Sequence, residues 1–397
     1  MNQNIAKLYQ IACKKERIII GLMSGTSLDG LDVALCRFQG SGADTKVEVL
    51  EFETVDFDES IKTRIRKVFA KEVVNFQELC LLNPWIGNLH GQIVLDCLGK
   101  WGLATDNVDI IASHGQTVMH APKILHQIAD YPNGTLQIGD GDHIAVKTGI
   151  ITFSDFRQKH CAAGGEGAPL AVYGDYLIFS EKDENRILLN MGGISNFTYL
   201  AGNLDPNEVF ATDTGTGNTL IDAYMQVHFR LPFDKDAAES SKGIMNEALL
   251  IALKKDQFFS TPLPKTTGPE LFNLEYLANA QQVSNTKDIS HQDILATLSK
   301  FTSDTIADTL RNFLEDRAAK IYLSGGGMHN PLIMAHLRAA LPSYEFAKTD
   351  EIGINGDAKE AVLFAILANE SLVGGDMNFG YRLGVPSVSM GKVSFPN

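Results

Sequence analysis

Near the start of the chain, Gly21-Leu22-Met23-Ser24-Gly25-Thr26-Ser27-Leu28-Asp29-Gly30-Leu31-Asp32 gathers residues that could do chemistry. Ser24, Thr26 and Ser27 supply small hydroxyls, and Asp29 and Asp32 supply carboxylates. Backbone N–H groups exposed by a glycine turn, with hydroxyls around them, suit an anionic oxygen such as a nucleotide phosphate. A serine- and glycine-rich hairpin tip with no ligand would have the same composition. Asn190-Met-Gly192-Gly193 lies between apolar runs in the same way, and Ser324-Gly325-Gly326-Gly327-Met-His-Asn330 follows a third. None of these is a P-loop, because no G-x-x-x-x-G-K-[ST] occurs.

Four other groups carry polar chemistry at the ends of apolar runs. Val108 to Ala112 reads as a short strand that stops at Ser113-His114-Gly115-Gln116-Thr117, and strand carboxyl ends in open α/β sheets are where ligands bind. A loop closed by internal hydrogen bonds is the other reading. The run from Ile151 ends in Asp155-Phe-Arg157, either a surface ion pair or, in a cleft, a pair that orients sugar hydroxyls. Asp213-Thr-Gly-Thr216-Gly217-Asn218 predicts a carboxylate beside the N-terminus of a helix at about 218–228. Its plain alternative is an N-cap. Glu360 stands early in an apolar helix, on its surface or in a binding pocket.

Positioning these groups requires alternating strands and helices. Residues 18–22 and 33–38 predict strand, tight turn and strand, with a third strand from Lys46. Helical spacing follows at about 59–70 and 76–100, then strand-like 136–140 with a helix to about Lys147. Gly164 to Leu170 reads as a flexible loop whose Pro169 suits the first turn of a helix. A second hairpin is predicted at 187–200, and helices at about 237–256, 269–282 and 290–315 have core-like spacing without chemistry. The strand at 319–323 precedes the last glycine cluster, and Asn330 opens the next helix.

Two phosphate-type hairpins followed by a late glycine cluster resemble the actin, hexokinase and Hsp70 superfamily of ATP-binding folds. Within it, G-x-M-S-G-T-S-x-D-G-x-D and His-Gly-Gln-Thr are similar to the anhydro-N-acetylmuramic acid kinase family, from about Ile18 to Arg382. The resemblance implies an α/β, two-domain actin-like (ribonuclease H-like) fold with nucleotide in the interdomain cleft. The expected domains are 1–145 plus 380–397 and 146–379. ATP would contact Gly21, Met23, Ser24, Gly25, Thr26, Ser27, Asp29, Gly30, Asn190, Gly192, Gly193, Gly325, Gly326, Gly327 and Asn330. His114, Gln116, Thr117, Asp155, Arg157 and Glu360 would face the sugar. Asp213 would be the catalytic base, and Asp29 would help hold Mg²⁺ through water. The implied reaction opens 1,6-anhydro-N-acetylmuramic acid with water and phosphorylates O6. The chain departs from the family's commoner residues at Glu166 (Gln) and Thr216 (Pro). A conventional sugar or acetate kinase, or an actin- or Hsp70-like ATP-binding module, are the alternatives.

Composition bounds the partners. The chain has 397 residues, enough for two domains, with 44% hydrophobic and 21% charged residues. A formal net charge of −14 argues against nucleic-acid or anionic-membrane partners. A small anhydrosugar is the expected partner, with a homodimer as the candidate assembly. The five cysteines are scattered and never in a C-x-x-C pair, which suits reduced thiols in the cytoplasm. Residues 1–17 lack an apolar signal core and read as a short amphipathic helix or a disordered leader.

Overall fold

The computed structural model describes residues 1–168, 170–315, 317–354, 356–375, 379 and 385–397. Pro169 and Arg382 lie outside the described residues. The chain forms two compact units, Met1–Ser180 with Gly353–Asn397, and Glu181–Ile352.

The first unit opens with α1 (Gln3–Ala12) and a meander of β1 (Glu16–Ser24), β2 (Gly30–Gln39) and β3 (Lys46–Asp56). Next come α2 (Glu59–Arg66), α3 (Phe76–Trp101), β4 (Ile110–Ala121), α4 (Lys123–His126), β5 (Gly134–Ile138) and α5 (Gly141–Thr148). β6 (Ile151–Ser154), α6 (Phe156–Ala162) and α7 (Ala171–Phe179) complete its first segment. The second unit holds β7 (Arg186–Met191), β8 (Ile194–Leu200), β9 (Phe210–Thr216), α8 (Thr219–His228), α9 (Glu247–Leu253), α10 (Leu274–Ser284) and α11 (His291–Leu314). It ends with β10 (Lys320–Ser324), α12 (Pro331–Ala340) and β11 (Glu345–Lys348). The chain then returns to the first unit for α13 (Lys359–Val373) and β12 (Lys392–Ser394).

The two sheets share one plan. In the first the order is β12-β6-β4-β1-β2-β3, with β5 beside β4; in the second it is β11-β10-β7-β8-β9. Each has an antiparallel three-strand meander, and the next two strands of the core order add in parallel on the far side of its first strand. This order, 3-2-1-4-5 along the chain, is the actin-like, ribonuclease H-like arrangement. β1 is buried at nearly every position because helices cover both faces, so it reads as a continuous apolar run. α3 closes one face through Leu82, Ile86, Val94 and Leu98. On the other face α13 comes so near that a Cβ on Gly21 would lie 1.9 Å from the Ala361 carbonyl oxygen.

Three expectations are corrected. The unit boundary falls after Ser180 and before Gly353, not after residues 145 and 379. β6 is parallel to β4, and Lys359 on α13 pairs with buried Asp175 on α7 at 2.7 Å, so these elements belong with the first sheet. β4 does not stop at Ser113 but runs to Ala121: Gly115, at φ +80°, absorbs an irregularity, after which the strand pairs with β5. The helix expected over 237–256 is α9 alone, preceded by two short 3₁₀ turns.

Gly21→Ala is expected to destabilise the protein by about 1–3 kcal/mol, because α13 must shift to admit the methyl group. Gly99→Ala, at an exposed position of α3 with nothing within 4 Å, is the control and should be neutral or stabilising. Thermal unfolding followed by circular dichroism reads both.

Candidate active site

In the first unit the hydroxyl-rich turn joins β1 to β2. Leu28 anchors it: the side chain is 3% exposed within the core, although its backbone is left-handed at φ 61°. A non-glycine residue held there is strained, so the core contact fixes the turn. Ser24 Oγ lies 2.6 Å from Gln116 Oε1 and 3.1 Å from the Gly30 carbonyl, and Gln116 Nε2 donates to the Gly25 and Thr117 carbonyls. Ser24 is therefore committed inward, whereas Thr26, Ser27 and Asp29 are exposed. Gln116 is fully buried and braces this turn, so its side chain is internal rather than open to a sugar. Gly21 and Gly30 lack side chains for packing reasons: a Cβ on Gly30 would lie 2.4 Å from the Val55 carbonyl oxygen. Met23 is buried.

The remaining residues expected at the sugar have distinct surroundings. His114 is buried on β4, its ring 4.6 Å from that of Phe364 on α13. Arg157 Nε donates to His114 Nε2 at 2.8 Å, and Arg157 Nη1 donates to the Gly167 carbonyl at 2.7 Å. Burial, with Arg157 adding to it, pushes the His114 imidazole down to about 3, so it is a neutral acceptor. Gly167 N–H in turn donates to His160 Nδ1 at 2.9 Å. Asp155, left-handed at φ 56°, pairs with Lys392 on β12 instead of with Arg157. Thr117 Oγ1 accepts from Gln137 Nε2. Glu360, one turn before Phe364, reaches solvent, yet crowding by protein raises its carboxyl above the usual range; Arg157 opposes this and Asp32 adds to it. Asp32, not expected among these residues, bears on Glu360 through its charge: it accepts from Thr54 Oγ1 at 2.6 Å, and burial raises it, with the Thr54 hydroxyl opposing and Asp357 adding. Its place on β2 beside the turn was the available signal.

In the second unit, parallel pairing of β7 and β10 brings Asn190 beside Ser324, and Ser324 Oγ donates to Asn190 Oδ1 at 3.3 Å. Gly325, at φ +80°, is required there, since a Cβ would lie 2.6 Å from Asn190 Oδ1. Asn190, Gly192, Gly193, Gly325, Gly326 and Gly327 thus share the carboxyl-end region of two parallel strands. Asn330 caps α12: its Oδ1 accepts from Leu332 and Ile333 N–H, and the residue is 8% exposed.

Asp213 does not cap a helix. It lies within β9, and α8 is preceded by Asn218. The N–H groups of Gly217, Asn218 and Thr219 are taken by the carbonyls of Gly192 and Gly193, so that helix start offers them to the second hairpin. Asp213 Oδ2 instead accepts from the Thr267 N–H at 2.8 Å. Burial pushes its carboxyl above the ordinary aspartate range, the Thr267 N–H opposes this, and Glu270 adds to it. Thr267 sits in a stretch where the sequence carried no signal. Among the described residues no group of three or more His, Cys, Asp or Glu could hold a metal ion.

A repeated 3-2-1-4-5 sheet, with a glycine-rich turn after the first strand of each copy, defines the class of actin- and sugar-kinase-like ATPase folds. The family model for anhydro-N-acetylmuramic acid kinase matches residues 17–380. The chain is 55% identical over 401 residues to the anhydro-N-acetylmuramic acid kinase of Pseudoalteromonas atlantica, covering 100% of both chains. It is 38% identical over 393 residues to that of Caldanaerobacter subterraneus subsp. tengcongensis, covering 98% and 99%. With the Vibrio cholerae relative the identity is 37% over 384 residues, covering 96% and 100%. The chain belongs to the anhydro-N-acetylmuramic acid kinase family.

Gln116→Leu should cost about 1–3 kcal/mol, because it leaves the Gly25 carbonyl without its donor. Chemical denaturation of the variant beside the parent measures this.

Proposed function

We propose that this protein uses ATP and water to convert 1,6-anhydro-N-acetylmuramic acid into N-acetylmuramic acid 6-phosphate and ADP, a step in cell-wall recycling and amino-sugar catabolism. Family membership across residues 17–380 carries the reading. The substrate's O6 is bridged to C1, so no free 6-hydroxyl is available for phosphorylation. Asp213 takes a proton from water, the water oxygen bonds to C1, and the C1–O6 bond breaks. O6 then bonds to the γ-phosphorus as the bond to ADP breaks. A carboxylate that activates water is what inverting glycoside cleavage requires, and here the phosphoryl group takes the leaving oxygen.

Thr26, Ser27 and backbone N–H groups of the first turn are the proposed phosphate contacts there. Asn190, Gly192, Gly193 and Gly325 to Gly327 are those of the second unit. Arg157 and Glu360 are proposed to meet the sugar, with Arg157 suited to its lactyl carboxylate. The donor set suits Mg²⁺ held mainly by nucleotide phosphates, with exposed Asp29 contributing through water. When bound, Mg²⁺ offsets phosphate charge during transfer. Free thiols at all five cysteines support a cytoplasmic setting, and no described helix is long and apolar enough to cross a membrane. A homodimer is the assembly we propose.

Turnover in ¹⁸O-labelled water should place the label at C1 of the 6-phosphosugar. Release of ADP with free N-acetylmuramic acid, and none with the anhydrosugar, would make this an ordinary sugar kinase. Asp213→Asn should lower kcat by about 10²–10⁴-fold while ATP still binds. The base must be ionised and burial raises its pKa, so kcat/KM should rise with pH through an acid limb above the ordinary aspartate value.

A further inference from the structure

We propose that the backbone of residues 265–267 is the arm that orients Asp213, a reading that rests on Asp213 being the base. Backbone and side-chain hydrogen bonds lay this segment along β9. Asp213 N–H donates to the Lys265 carbonyl at 3.0 Å, and Lys265 N–H donates to Thr212 Oγ1 at 3.0 Å. Thr267 N–H donates to Asp213 Oδ2 at 2.8 Å. The arm thus grips both the backbone and the side chain of the same residue.

Its far end is fixed in the core. Lys265 is 8% exposed, and its ammonium donates to the Phe258 carbonyl at 3.0 Å while lying 4.3 Å from the centre of the Phe258 ring. Phe258 packs edge-on against Phe272, and Phe259 against Phe301 on α11. The carbonyl and the ring faces replace part of the water around this ammonium, whose pKa burial lowers.

The consequence for the carboxylate is geometric. Oδ2 is held by a backbone donor that has no rotamer to lose, while Oδ1 accepts no hydrogen bond among the described residues. Oδ1 is therefore the oxygen left to take the proton from water. A fixed donor on one oxygen also stops the carboxylate from rotating between two equivalent poses, which keeps the base oriented before substrate arrives. Thr267 acts through Asp213 and is a positioning residue. Its side chain is not needed for this role, so the sequence at that position carries no mark of it.

The test replaces threonine 267 by its α-hydroxy analogue, which turns one amide into an ester, removing the N–H and weakening the Thr266 carbonyl as an acceptor. Loss of a donor to the ionised form should move the acid limb of kcat up by about one pH unit. kcat on that limb should fall about tenfold, with KM for ATP unchanged. Thr267→Ala keeps the N–H and should leave the limb where it is. An unmoved limb in the ester variant, or a limb moved equally by Thr267→Ala, overturns the proposal. If the ester variant does not fold, Thr267→Pro, which removes the same N–H, replaces it: the limb should again move up, and an unmoved limb overturns the proposal. Full turnover in Asp213→Asn would instead overturn the reading of Asp213 as base, so the two failures are separable.

Discussion

The approach of α13 to β1 governs the first unit. A helix can come this near a strand only where the strand residue has no side chain, and Gly21 supplies that gap opposite the Ala361 carbonyl. Glu360 immediately precedes Ala361, and Phe364 lies one turn beyond Glu360, so the contact sets the height of both along the sheet. Phe364 then packs at a tilt against His114, and His114 receives the Arg157 guanidinium. A steric allowance at one residue thereby fixes a carboxylate and a cation that come from segments about two hundred residues apart in sequence.

Hydrogen-bond closure does the corresponding work at the turns. Buried polar groups must find partners, and Ser24, Gln116 and the Gly25 carbonyl satisfy one another. This leaves Thr26 and Ser27 as the exposed hydroxyls on an otherwise locked turn. In the second unit the glycine carbonyls of the hairpin accept the N–H groups of Gly217, Asn218 and Thr219 at the entry to α8, so the helix start and the hairpin hold each other. His114 follows the same logic from the other direction. Its imidazole stays neutral because it is buried beside a guanidinium, and only the neutral ring can accept that cation's N–H.

Much of the scaffold was legible in the sequence because it rests on local signals. The meander of β1 to β3 follows from alternating apolar runs and glycine turns, and α3 and α11 from long helical spacing. The glycine clusters were readable because Gly325 occupies a backbone angle and a space that other residues cannot share. What depended on distant pairing was not legible. The continuation of β4 past Ser113 is decided by its partners β1 and β5, and the inward turn of Ser24 by Gln116, more than ninety positions away. Asp213 was expected at a helix start and lies within β9, because a strand extending to Thr216 and a helix starting at Thr219 look alike in a run of Thr and Gly. The Thr267 N–H left no trace, since a backbone donor is the same whatever the side chain.

The order in which the units complete themselves follows from where the chain crosses between them. The second unit is one uninterrupted segment ending at Ile352, whereas the first lacks α13 and β12 until the residues that follow Ile352 exist. During synthesis the second unit can therefore close its core while the first still presents an uncovered sheet face around Gly21. That face is apolar and adhesive, so the nascent protein is most exposed to misassembly in the interval before α13 emerges.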